Sequence, residues 1–382
     1  MNIYQISKSN NPIIQQHNKY YNKCWEQSNT KLITLIKHLI NILQQSIISL
    51  PITFYPKIFK LNNIKQLIAY TNIDNIDIDI LEQINIFFKS NIFVSDDIKV
   101  YVENNINMCA KYIFEHLIFY FFYNSNMSKK DIIEITQNIY IISLWIYTLK
   151  PMHKIILSYF NVNIKKKINT NSLHKILSPQ NVNSGSTIAG KWIMLWRNEE
   201  LYKVLIHELI HYLDLDIKHD SFINILPHNK IGGNNFPISV NEAITELYAQ
   251  FLFILYKSTR LQTNIQEVIN TIKILYNYEL IFSWFQFAKI MNYFSIHKYS
   301  DDELKTKFNQ TTNVFSYYIL KCILTIHFNK IILYFNNTKK TYKISKYIND
   351  LLLNLPIDFI NNIIKYFKNN NNNNNLRMTL YS

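Results

Sequence analysis

Apolar positions recur at helical spacing over most of this chain. Between about residues 30 and 150, "LITLIKHLINILQQSIISLP" closes at Pro51, and "CAKYIFEHLIFYFF" and "DIIEITQNIYIISLWIYTL" flank the polar break "NSNMSKK". This spacing predicts a helical amino-terminal region. From about 153 to 197 the pattern shortens to alternating, β-branched runs, "KIILSYFNVNI" and "KWIMLWR", around the turn-forming "SPQNVNSGST". Strands are predicted there. Helical spacing returns at 239–258, 262–295 and 311–334, and "NDLLLNLPIDFINNIIKYFK" predicts a last helix. The pattern therefore predicts an α+β fold, predominantly helical, with a small sheet. Its expected divisions are a helical region at 1–150, a domain at 151–335, a helical segment at 336–368 and an asparagine-rich tail at 369–382. The tail is expected to be disordered, because an asparagine run buries little apolar area.

Composition changes this picture little. At 382 residues and 48% hydrophobic, the chain can bury a sizeable core. The excess of Ile, Asn, Lys, Tyr and Phe, with four Gly, is what A/T-rich coding sequence yields, of the kind large DNA viruses carry. The net charge of +14 invites a nucleic-acid or anionic-surface role, but the lysines are scattered and only Lys165, Lys166 and Lys167 form a run of three. A solvated lysine-rich surface is the simpler reading, and a nucleic-acid partner is not expected. Cys24, Cys109 and Cys322 are odd in number, widely spaced and without a CxxC pair, so neither a disulfide framework nor a thiolate zinc site is indicated. The amino terminus lacks a signal-type apolar core, and no uninterrupted apolar run approaches the ~18–20 residues of a membrane span. A soluble, intracellular protein is expected.

The stretch "VLIHELIHYLDLD" at 204–216 changes the picture most. On a helix, His207 and His211 lie about 40° apart around the axis, so both imidazoles can face one metal ion. Glu208 lies about 100° from His207, on the open side, where a general base for water belongs. The helix is otherwise apolar nearly all round, and burying three such groups is costly without a shared partner. Zinc is the economical partner. Asn198 is placed to cap this helix, with Glu199 and Glu200 in its first turn. His17, His38 and His116 have no ligand-like spacing and read as structural or surface groups.

A third ligand is required. "SVNEAITELYAQ" at 239–250 offers Glu242, with Glu246 four residues on as an acceptor for a ligand histidine. The same letters spell a capping box, Ser239 to Glu242. Asp214, Asp216, His219 and His228 are the other candidate donors, and Asp214 also suits a hydrogen bond to the His211 ring or to a surface group. All four glycines fall at 185–233, where positive φ or close approach by another group would call for them.

At "HELIH" followed by "NEAITE" the chain resembles the gluzincin metallopeptidases, of the thermolysin and lethal-factor types, over some 60 to 70 residues around 191–255. The resemblance implies a zincin-like domain at 151–335 that hydrolyses a peptide or protein substrate. It implies Zn2+ held by His207, His211 and Glu242, with Glu208 as base and Glu246 orienting His207. "KWIMLWR" has the place that such enzymes give to the edge strand beside the substrate, though an ordinary buried strand reads the same way. The 30-residue spacing from His211 to Glu242 is longer than that pattern, and Glu246 stands where Asp is common. Two other readings stay open: a non-peptidase zinc hydrolase or silent zinc-binding protein, and a helical interaction or nucleic-acid-binding protein with a chance HExxH.

Overall fold

The computed structural model describes residues 3–9, 11–26, 30–51, 53–61, 78–168, 175–216, 238–335, 347–348, 350, 354–368 and 374–381. The chain is α+β with helix predominating, and its sheet has six strands. It divides into two discontinuous units. One comprises Asn41–Lys166 and Asn183–Leu215; the other comprises Met1–Ile40, Lys167–Val182 and Asp216–Tyr381. The boundary expected at 150 falls inside the first unit and the one expected at 335 inside the second.

The first unit is built on the sheet. Strands β1 (Lys57–Lys60), β2 (Met108–Ile113), β3 (Leu117–Tyr123), β4 (Ile155–Phe160), β5 (Gly185–Ile188) and β6 (Trp192–Leu195) lie in the order β1-β2-β3-β4-β6-β5. β3, β4 and β6 run parallel, while β1, β2 and β5 pair antiparallel with their neighbours. Three of these strands therefore lie in the region where helix alone was expected, and "CAKYIFEHLIFYFF" is a β-hairpin. The reason is physical. "LIFYFFY" is a continuous apolar run covered on both faces, and such a run has no period-2 signature to set it apart from a buried helix. Tyr120 and Phe122 point into one core with Phe87, Phe160, Met194 and Trp196; Phe119 and Phe121 alternate to the opposite face.

Helix α1 (Lys129–Leu149) makes the crossover from β3 to β4, capped by Ser128 Oγ accepting from Asp131 N. Among the described residues it is the one helix long and apolar enough to cross a membrane by length and composition, and 44% of its most apolar window is buried. It packs against helix α2 (Leu201–Tyr212), which also lies on β5 and β6.

The second unit is helical. Helices α3 (Val240–Leu261) and α4 (Ile265–Tyr293) pack together, with Asn264 capping α4 through bonds from Gln266 N and Glu267 N. Residues 374–381 do not follow the expectation of a disordered tail. Leu376, Met378 and Thr379 are buried, and the segment's backbone meets Lys289 Nζ at Asn375 O (2.7 Å), Tyr318 Oη at Leu376 O and Lys321 Nζ at Met378 O (3.4 Å). Glu279, wholly buried on α4, accepts from Thr379 Oγ1 (2.8 Å) and Leu380 N (2.9 Å) through Oε2 and from Gln250 Nε2 (2.7 Å) through Oε1. The asparagines at 369–373 lie outside the described residues.

Candidate metal centre

Helix α2 begins abruptly. Glu200, at its N-cap, sits in the left-handed region (φ 65°) and makes no side-chain cap. Asn198 is not the cap that its position in sequence suggests, because Tyr159 Oη donates to its Oδ1 (3.0 Å) and its amide donates to Val162 O (3.0 Å). Glu200 instead turns inward to Lys166 Nζ at 2.6 Å, with both side chains buried, and the Lys166 amide donates to Glu199 Oε2 at 2.7 Å. Arg197, also buried, donates to the carbonyls of Asn183 and Ile164. The two acids expected in the first helical turn thus sit just before it. Backbone strain at Glu200 is on the order of 1–3 kcal/mol, and this conformation is the one that turns its carboxylate to Lys166.

From this anchored start, α2 presents His207 and His211 one turn apart. Their Nε2 atoms are 3.1 Å from each other, with ring centroids 4.8 Å apart. A metal at about 2.05 Å from both nitrogens would subtend about 100° between them, close to the tetrahedral angle of about 109° that zinc adopts. The pair therefore fits a tetrahedral ion. The same separation suits an N–H···N hydrogen bond between neutral rings.

Glu208 is buried and turned toward the sheet. Its Oε2 accepts from Thr187 Oγ1 on β5 at 2.7 Å. The strand beside the motif is therefore β5. "KWIMLWR" supplies β6, which lies between β4 and β5, so its assignment to the edge is corrected to an interior strand. Thr187 was missed because "SGST" reads as turn-forming, while at Gly185 the close approach expected of these glycines is what the strand shows. A glycine kept in a chain with four was the signal that could have found Thr187.

At the far end of α2, Asp214 (φ 54°) accepts from Lys150 Nζ at both its carbonyl (2.6 Å) and Oδ2 (3.3 Å). Lys150 is thus the kind of surface group that the sequence offered as one partner for Asp214. Tyr212 is buried, which pushes its phenol up, and its hydroxyl donates to Lys154 O. Burial also pushes Tyr202 up to about 12. Among the remaining candidate ligands, His219 and His228 lie outside the described residues, and Asp216 Oδ2 accepts from Asn241 Nδ2 at 3.1 Å. His17 and His116 are buried within their own units, the first against Asn277 and the second among Phe114, Tyr140 and Tyr147, while His38 is exposed.

In the helical unit, Glu242 stands in the first turn of α3 and Glu246 one turn on, fully buried. Half of the capping box is made, since Ser239 Oγ accepts from Glu242 N at 3.1 Å. The Ser239 amide, which the box would give to the Glu242 carboxylate, donates to Ser316 Oγ at 3.2 Å.

No family matches the chain, and no solved structure does. The "Uncharacterized protein R210" of Acanthamoeba polyphaga mimivirus is 27% identical over 208 residues. The match covers 51% of this chain and 51% of that protein, so the chain spans about half the length of the curated relative it matches.

Proposed function

We propose that this protein is a zinc-dependent metallopeptidase with a zincin-like active helix. What carries the reading is the close approach of His207 and His211 on a buried helix, with Glu208 held beside them on the same element. We take Glu242 as the third ligand, as the resemblance at "NEAITE" implies. Two neutral imidazoles and one carboxylate are a ligand set that catalytic zinc takes, leaving a position open. When bound, zinc supplies Lewis acidity, polarising the scissile carbonyl and acidifying the attacking water.

The chain's own residues do the rest. Glu208 takes the proton from the water as it attacks the peptide carbonyl and passes it to the leaving amine as the C–N bond breaks. Glu246 orients a ligand histidine by accepting from its other ring N–H, as carboxylates commonly do at zinc sites. The partner is a peptide or protein substrate.

Metal analysis of the purified protein, followed by cleavage of a peptide library, tests this. Wild type should carry about one zinc per chain. His211→Ala should lose it, and Glu242→Ala should weaken its retention against a chelator. Glu208→Gln should keep the metal and lose cleavage. Undiminished zinc in His211→Ala would overturn the site assignment, and equal cleavage by wild type and Glu208→Gln would overturn the mechanism.

A further inference from the structure

We infer that strand β5 is built as a cradle for the Glu208 carboxylate, with Gly185 and Thr187 as positioning residues; this rests on the assignment of Glu208 as the base. The two residues are two apart on a strand and so share the face that meets α2. Their neighbours alternate away: Ser186 Oγ accepts from Asn91 Nδ2 on the other side of the sheet, and Ile188 is exposed.

Each residue engages a different carboxylate oxygen. A Cβ at position 185 would lie 2.6 Å from Glu208 Oε1, 2.9 Å from its Cγ and 2.9 Å from Val204 Cγ1. Real Cβ atoms do not approach so closely, so any residue larger than glycine displaces the carboxylate or the helix. The backbone does not call for glycine, because the left-handed glycine of this hairpin is Gly190 and Gly185 lies outside that region. Space for the Glu208 side chain and Val204 is thus the reason for glycine at 185, and Oε1 is the nearest of these atoms. Thr187 fixes the other oxygen, donating from Oγ1 to Oε2 at 2.7 Å, with a longer contact of 3.3 Å to the main-chain carbonyl of Glu208. Its rotamer is restricted by the branched Cβ, so the hydroxyl is held where the carboxylate meets it. A carboxylate seated in a gap on one oxygen and bonded on the other has one orientation, which a base acting on a positioned water requires.

Two readouts test the cradle, and the first needs neither metal nor substrate. In chelator-treated protein, Thr187→Val should lower Tm more in the wild-type background than in the Glu208→Ala background, where only the longer contact with the main-chain carbonyl of residue 208 remains to be lost. Gly185→Ala should likewise cost less when residue 208 is Ala, with a remainder from Val204. In metal-loaded protein, Thr187→Val should lower kcat on the order of a hundredfold while KM and zinc content stay as in wild type, and Thr187→Ser should restore most of the rate. Equal Tm shifts in the two backgrounds, or kcat unchanged in Thr187→Val, would overturn the cradle and leave the metallopeptidase reading standing. A wild type without zinc would overturn that reading, and the base-holding role with it, even if the Tm coupling were present.

Discussion

Both units bury charged side chains in apolar surroundings, and they use them differently. In the sheet unit three of the buried groups belong to one helix or its start: Lys166 and Glu200 at the start of α2, and Glu208 against Thr187 further along. Their partners come from strands and turns of the same unit. In the helical unit, Glu279 gathers Gln250 with Thr379 and Leu380, about a hundred residues further along the chain, while Lys289 and Lys321 meet backbone carbonyls of that same late segment. Burial of charge is therefore no guide to chemistry by itself. Glu279 has both oxygens engaged by donors and serves as a fastening. The His207–His211 pair instead brings two ring nitrogens together at 3.1 Å, a separation that a shared cation or an N–H···N hydrogen bond accommodates.

The sharpest test of this contrast removes chemistry without removing structure. Glu208→Gln is expected to lose roughly a hundredfold to ten-thousandfold in peptide cleavage while its unfolding midpoint stays near that of wild type. A matching Glu279→Gln change should leave cleavage untouched. Next in size is the ion pair at the start of α2. Lys166→Met strands Glu200 in the interior and should cost about 3–5 kcal/mol in urea unfolding, and the double change Lys166→Met, Glu200→Met should recover most of it. Recovery would mark the pair as a fastening too, and failure to recover would give it a specific part in starting the helix.

One buried histidine in each unit supplies a pH test. Burial holds His17 and His116 down at about 4, and Lys154 adds to the effect at His116, against an ordinary value of 6.5. Between those limits the unfolded chain binds a proton that the folded chain does not, so stability falls as pH falls from 6.5 toward 4. At about 1.4 kcal/mol per unit, each ring contributes up to about 3 kcal/mol to that loss. His116→Phe and His17→Phe should each flatten the pH dependence of the unfolding midpoint across this window, and an unchanged slope would contradict the buried neutral state. The smallest effect is expected from Thr379→Val, which removes one donor from Glu279. It should cost about 1–2 kcal/mol and speed protease cleavage after residue 374, without touching metal content.

The legibility of these regions in sequence follows the same division. His207, Glu208 and His211 can be read because a five-residue spacing on a helix carries its own geometry. Glu242 and Glu246 can be read as a face of a second helix, but not apart from a capping box, since both use the same four letters. The β2–β3 hairpin could not be read, because "LIFYFFY" is apolar at every position. Residues 376–381 could not be read either. Their burial depends on Glu279, Lys289 and Lys321, which lie on helical segments whose pattern says nothing of what they hold. Asn198 misled because a good cap residue at the right position had been recruited by Tyr159, leaving the helix to begin at a strained glutamate.

Gly190, remote from every group with chemistry, governs how the chain tolerates insertion and deletion. It occupies the left-handed position (φ 68°) in the turn closed by Lys191 N donating to Ile188 O, and this turn sets which residue of β5 faces which residue of β6. A one-residue shift of that pairing would exchange the two faces of the strand, bringing Ser186 and Ile188 toward Glu208 and placing a Cβ where the carboxylate now lies. Changes of length at 189–191 should thus act by parity, with one residue disabling and two residues tolerated.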